Sequence, residues 1–263
     1  MKLLLLIPLF TISSFSQTLG KKMIYQVNYE LVSAVYGNKI ITDYILLSSE
    51  SESIYLTQES FSKINNKENF NIIADTINNK GEITNIVKVD TKNHLFYTYK
   101  DFEKDSLTFT NFANEKSYKV SEKNISFDWV ITDEEKIISS YKCKKAVTHF
   151  RGRDYIAWFS EEIPIFNGPF KFNDLPGLIV EIYDSELKYS WIAKSIQLNK
   201  DLLKIEEPNL KYKLIDIKTS VIFSDKELIN LVSLNQSRLP QNVTSEGLKI
   251  KRGTIELKYE WEE

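Results

Sequence analysis

Gly168-Pro169-Phe170-Lys171-Phe172-Asn173-Asp174-Leu175-Pro176-Gly177-Leu178-Ile179-Val180-Glu181-Ile182-Tyr183-Asp184 is the stretch around which the rest of the chain is read. Its first ten residues hold two prolines, two glycines and an Asn-Asp pair. Proline holds φ near about −65° and restrains the residue before it, whereas glycine takes positive φ without steric cost. Leu178–Ile182 follows as an apolar, β-branched run of the kind a buried strand carries. The pattern predicts a rigid corner feeding a core strand: a folding signature, with no catalytic motif inside it.

Strand signals surround this corner. Ile24, Val27, Tyr29 and Leu31 alternate with polar residues through Met23–Val32. Tyr36-Gly37-Asn38-Lys39 reads as a turn and Ile40–Leu47 as the return strand of a hairpin. Ile54–Leu56, Ile83–Val89, His94–Tyr99, Leu107–Phe112, Tyr118–Val120, Phe127–Ile131, Lys144–Phe150, Tyr155–Phe159 and Tyr189–Gln197 continue the series, separated by polar turns. Residues 59–80, rich in Asn, Lys and Ser, read as a surface excursion with room for one helical turn. Ser224-Asp225-Lys226-Glu227 has the form of a capping box, so a helix is expected from Ser224 to a limit at Pro240, with the chain extended from Ile250 to Trp261. Short, evenly spaced strands favour a meander over βαβ units. The expectation is a mainly β chain: one antiparallel, strongly curved sheet, an open bowl or half-barrel, with one or two helices on its concave side.

The corner also carries a family resemblance. Leu175-Pro176-Gly177-Leu178-Ile179, preceded by Gly168-Pro169-Phe170-Lys171-Phe172, resembles the hallmark of the GLPGLI family of secreted Bacteroidetes proteins. Tyr141, Cys143, Lys145-Ala146, Gly152-Arg153, Ala157-Trp158-Phe159 and Glu162-Ile163-Pro164 fall at that family's spacing, and Ile255-Glu256-Leu257 suits its C-terminal end. One departure stands out: the first glycine of the family name is Asp174 here. Aspartate tolerates the left-handed region better than most residues, so the turn is expected to survive. The resemblance implies a structural signature at Gly168, Pro169, Leu175, Pro176, Gly177, Leu178 and Ile179, and no established activity.

Lys2, the apolar run Leu3–Phe10 and the small residues of Ser14-Phe15-Ser16 form an export signal, with cleavage placed after Ser16. Residues 17–263 are then one β domain, exported to the periplasm, the cell surface or the medium. No later stretch approaches the ~20 apolar residues of a transmembrane helix. Lys+Arg number 34 against 36 Asp+Glu, a balance that argues against nucleic acid as a partner. A single cysteine, Cys143, excludes an internal disulfide, so stability rests on apolar burial.

Few residues suggest chemistry. Cys143 and His149 lie six apart on one strand, about 20 Å, too far for a nucleophile–base pair or a shared metal. Lys142, Lys144, Lys145, His149, Arg151 and Arg153 make a basic hairpin, readable as a receptor for an acidic group or as a charged strand edge. Arg153, Trp158 and Trp191 are the candidate binding residues, Arg153 having an ion pair under the turn as its structural reading. There is no G-x-S-x-G, H-E-x-x-H, P-loop or Rossmann fingerprint, and no catalytic residue, metal ligand or cofactor is assigned. The leading expectation is a non-enzymatic protein binding an apolar ligand, a glycan or an envelope protein. The alternatives are a hydrolase of envelope polymers using carboxylates such as Asp174 and Glu181, and a structural accessory of an outer-membrane complex.

Overall fold

The computed structural model describes residues 23–35, 38–64, 73–77, 83–88, 94–113, 115–199, 205–237 and 252–262. The export signal, Gly37, Pro240 and Ile250 lie outside these residues. Strands β1 (Ile24–Val35), β2 (Asn38–Ser48) and β3 (Glu52–Thr57) lead into the short helix α1 (Gln58–Ile64). β4 (Ile73–Ile77) and β5 (Ile83–Lys88) form a hairpin attached to β2 at Lys39 and Ile40. Next come β6 (Tyr97–Asp101), β7 (Ser106–Ala113) and β8 (Lys116–Lys123), then β9 (Val130–Ile138), β10 (Tyr141–Phe150) and β11 (Arg153–Ser160). Beyond the corner lie β12 (Leu178–Asp184) and β13 (Tyr189–Asn199), and finally β14 (Lys213–Asp216) and helix α2 (Ile217–Ser237).

One sheet orders these strands β14-β8-β7-β6-β3-β2-β1-β13-β12-β11-β10-β9, with β4 and β5 off the path. β14 and β9 are its two ends, so the sheet is not closed. It is not wholly antiparallel either, because β14 runs parallel to β8. The reason is topological: β13 ends in the middle of the order, and the chain crosses to the far edge before pairing. Only Ile215 of that four-residue strand is buried, too little periodicity to register as a strand in the sequence.

Four further expectations are corrected. Within residues 59–80, α1 supplies the helical turn for which the excursion left room, and β4 stands where no strand was expected. β9 starts at Val130 and continues through Asp133–Lys136, while Phe127 and Trp129 precede it and pack on Phe172. α2 begins seven residues before Ser224. Its cap is Asp216, whose side chain accepts from the Thr219 amide (2.8 Å) and hydroxyl (2.7 Å). The β-branched run Ile217, Thr219, Val221, Ile222 hides this first turn from a propensity reading. Residues 252–262 contain no strand and end in a turn.

The corner is built as its residues require. Gly177 has φ +149°, and a Cβ there would stand 2.1 Å from the Ser160 carbonyl oxygen. A Cβ on Gly168 would stand 2.8 Å from Ile179, so the turn lies flat on the strand it feeds. Asp174 does take the left-handed conformation, φ 71°. Its carboxylate accepts from the Phe127 amide (3.3 Å), 47 residues upstream, and from the Asn173 side chain (2.7 Å). Leu178, Ile179, Val180 and Ile182 are fully buried. Phe172 is driven into a group of rings, with centroids 4.8 Å from Tyr155, 5.4 Å from Phe127 and 5.8 Å from Trp191. Burying such a side chain contributes on the order of 2–3 kcal/mol.

Cross-strand register places three rows on one face of the sheet. Ser53, Lys100, Leu107 and Glu122 form the first row, which meets the corner: Lys100 donates to Asn167 Oδ1 and the Phe172 carbonyl (both 2.8 Å), and Glu122 pairs with Lys171. Tyr55, Thr98 and Phe109 form the next row. Asn111 and Tyr118, one pair further, carry α2: Asn111 donates to Ser220 (2.7 Å), and Tyr118 packs on Phe223. The middle row thus lies between the corner and the helix.

Candidate binding cavity

Those bulky neighbours hold the middle row apart from any direct cover. An inner chamber of about 150 Å³ is lined by Tyr44, Tyr55, Phe96, Phe109, Phe170 and Trp191, among others. A wider chamber of about 500 Å³ shares Phe109, Thr110, Phe170 and Ile255 with it and extends beneath α2 to Asp225, Arg252 and Tyr259. Tyr44 stacks on Tyr55 at 4.6 Å, and Phe170 lies nearly parallel to Trp191 at 6.5 Å. Phe170 holds φ 54°, a conformation costly for a bulky residue and concentrated at functional sites. Here it sets a ring on the boundary between the two chambers.

The inner chamber is lined mainly by aromatic rings with Thr98 and Thr110 beside them, and two of its lining residues carry a buried polar atom. Neither the Tyr55 hydroxyl nor the Trp191 indole N–H has a hydrogen-bond partner among the described residues. The indole lies close enough to favour the ionised hydroxyl slightly, but not in bonding geometry; burial dominates and pushes the Tyr55 pKa well up. Burial likewise moves Tyr44 to about 12. Both phenols are therefore neutral at physiological pH. A buried donor without a partner costs about 1–3 kcal/mol, and these two belong to neighbouring residues of the same chamber.

The remaining wall is residues 252–257, fastened by buried charge. Lys171 is fully enclosed and pairs with Glu122 (2.5 Å) and Glu256 (3.0 Å). Arg151 joins Glu122 (3.0 Å), Glu260 (2.9 Å) and Glu256. Arg153 bonds Asp184 (3.1 Å) and the carbonyls of Ile255 (3.0 Å) and Thr254 (2.8 Å). The Tyr155 and Tyr189 hydroxyls donate to Ile255 and Gly253. Arg252 clasps Asp225 of α2 to Glu262, which lowers the Glu262 pKa.

The three residues proposed from sequence are not brought together. Trp191 lines the inner chamber. Arg153 is a buried fastener of the C-terminal segment, its ion-pair reading realised. Trp158 stands opposite Glu181 in the register, on the other face from Ala157, Ile182 and Trp191, with the Lys136 ammonium 4.2 Å above its ring. The carboxylates of the hydrolase reading are also apart: Asp174 is used in the turn, and Glu181 pairs with Lys136. Cys143 is buried, its thiol pushed up to about 11 by burial, and exposed His149 bonds Asp154 (2.7 Å) instead. The basic hairpin is neutralised within the chain: Lys142 by Glu135, Lys144 by Glu161 and Lys145 by Glu134. Sequence reasoning missed Tyr44, Tyr55, Phe109 and Phe170. Only Phe170, within the signature, was singled out by any local signal.

A family model described as "Protein of unknown function (Porph_ging)" matches residues 151–181, from the β10–β11 turn through the corner into β12. No curated protein matches the chain. Among solved structures, PNGF-II in space group C2 is similar with a TM-score of 0.51 at 15% identity, covering 78% of this chain and 33% of that one. PNGF-II in space group P21 gives 0.49 at 16%, covering 78% and 34%. The chain spans about a third of the length of the structures it matches, and at this identity the likeness is one of fold.

Proposed function

We propose that this chain is an exported, non-enzymatic protein that binds an apolar ligand in the two-chambered cavity of an open, strongly curved sheet. The observation that carries the reading is the aromatic-lined inner chamber continuing into the wider one, a concave and mainly apolar hollow of the kind that takes up small ligands. A cavity of this size, apolar-walled, accommodates a group on the scale of benzene. The curvature is supported by Glu122 of β8 touching Arg151 at the β10–β11 turn, although these strands lie near opposite ends of the sheet order. Export rests on Lys2, Leu3–Phe10 and Ser14–Ser16.

The test uses N-phenyl-1-naphthylamine, whose fluorescence rises in apolar sites, and lipid extraction with mass spectrometry of natively purified protein. Thr98, in the middle row and lining the inner chamber, is the residue to enlarge. Thr98→Phe should lower probe affinity by roughly fivefold or more while the far-UV spectrum stays unchanged. Equal binding by both proteins, with no co-purifying molecule, would overturn the reading.

A further inference from the structure

The charge around the wider chamber says which molecules can use it. Asp225 and Glu256 line it beside a single described cation, Arg252, together with Glu227, which has a partner of its own. Every N–H of that guanidinium is engaged: Nε with Asp225, Nη1 with Glu262 and the Leu257 carbonyl, and Nη2 with Asp225 and Glu262. The cations behind the wall, Lys171 and Arg151, are bound to Glu122, Glu256 and Glu260. An anionic group entering here meets a surplus of carboxylate and no uncommitted cation among the described residues. The uncharged polar lining is Asn111, Ser220 and Ser224, joined through the Asn111 amide at 2.7 and 3.1 Å.

We infer that the ligand of this cavity is a non-ionic amphiphile: its apolar end occupies the aromatic chamber and a hydroxyl-bearing head lies beside Asn111, Ser220 and Ser224. The inference rests on the binding reading above and adds the class of head group. It excludes carboxylate- and phosphate-headed lipids as the preferred occupants, because bringing an anion beside carboxylates at low dielectric is strongly unfavourable. The head is satisfied instead by neutral amide and hydroxyl groups, which donate and accept.

The experiment is a matched pair, 1-decanoylglycerol and decanoate, titrated calorimetrically below their aggregation concentrations at pH 8 against the full mature chain. The glycerol ester should bind at least roughly tenfold more tightly. Asp225→Asn, which releases donors of Arg252, should narrow that preference to about threefold or less by admitting decanoate. Decanoate binding as tightly as the ester to the unaltered chain would overturn the inference and leave the binding reading intact. Failure of both ligands, together with loss of the naphthylamine signal, would remove the reading and the inference with it.

Discussion

Two groups of buried aromatic rings share Trp191 and differ in what lies between them. Around Phe172, Tyr155, Phe127 and Trp129 close in from several sides, and the Trp129 indole finds the Asn173 carbonyl at 2.8 Å. Around Phe170, the rings of Tyr44, Tyr55 and Phe109 border an open hollow of about 150 Å³, and two buried polar hydrogens of its lining residues have no partner among the described residues. The composition is the same; the support differs. Phe172 enters the core on a turn held by Gly168 and Gly177, whereas Phe170, two residues earlier, is turned outward by its positive φ. One dipeptide step thus separates a packed core from a hollow one.

That contrast is most sharply broken by removing the rigidity of the solid side. Gly177→Ala puts a methyl 2.1 Å from the Ser160 carbonyl at a φ that side chains rarely adopt. The expected loss is upward of about 4 kcal/mol, seen as an insoluble product or a collapsed urea midpoint. A near-native midpoint would mean that the corner is not rigid. Next in size, Phe172→Ala should cost about 3–5 kcal/mol, because its packed neighbours cannot close the void. Phe170→Ala should cost under about 1 kcal/mol, since the side chain is half-buried and its conformation strained, while weakening naphthylamine binding. Equal losses in the two variants by urea denaturation would erase the distinction between solid and hollow.

The solid side was also the legible side. Pro, Gly and Asx residues within ten positions announce a fixed turn, and a run such as Leu178–Ile182 announces burial, because both signals are local. The chamber is assembled from β2, β3, β6 and β7 together with a wall more than a hundred residues away, so no window of sequence contains it. Trp158 and Trp191 looked equivalent as strand tryptophans. Only the β11–β12–β13 register, which sets Trp158 opposite Glu181 and Trp191 opposite Ile182, places them on opposite faces. Lys171 carried a sign that sequence reading passed over: a lysine between two phenylalanines in an apolar corner needs buried carboxylates, and Glu122 and Glu256 supply them from distant segments. The sequence places α2 late because Ser224-x-x-Glu227 matches a cap by pattern, while the operating cap, Asp216, is the last residue of a strand too short to notice.

A further effect, between those of Phe172→Ala and Phe170→Ala in size, concerns how the solid side is tied across the sheet, and it separates the two buried lysines. Lys171 has carboxylate partners; Lys100 has only the neutral oxygens of Asn167 and Phe172. Burial drives the Lys100 pKa down to about 7, with the field of Asp174 opposing the change and Lys171 adding to it. Unfolding restores the ordinary lysine value near 10.5, so above pH 7 the unfolded chain holds a proton that the folded chain has lost. More protons on the unfolded state means stability rising with pH, by about 2 kcal/mol from pH 7 to 9. Above that range the raised phenols and the Cys143 thiol act in the opposite direction, because the unfolded state ionises them first. Urea titrations across pH 7 to 9 should show this rise in the natural chain and a flat line in Lys100→Met. A slope unchanged by the substitution would place the proton elsewhere and leave Lys100 charged against its two carbonyls.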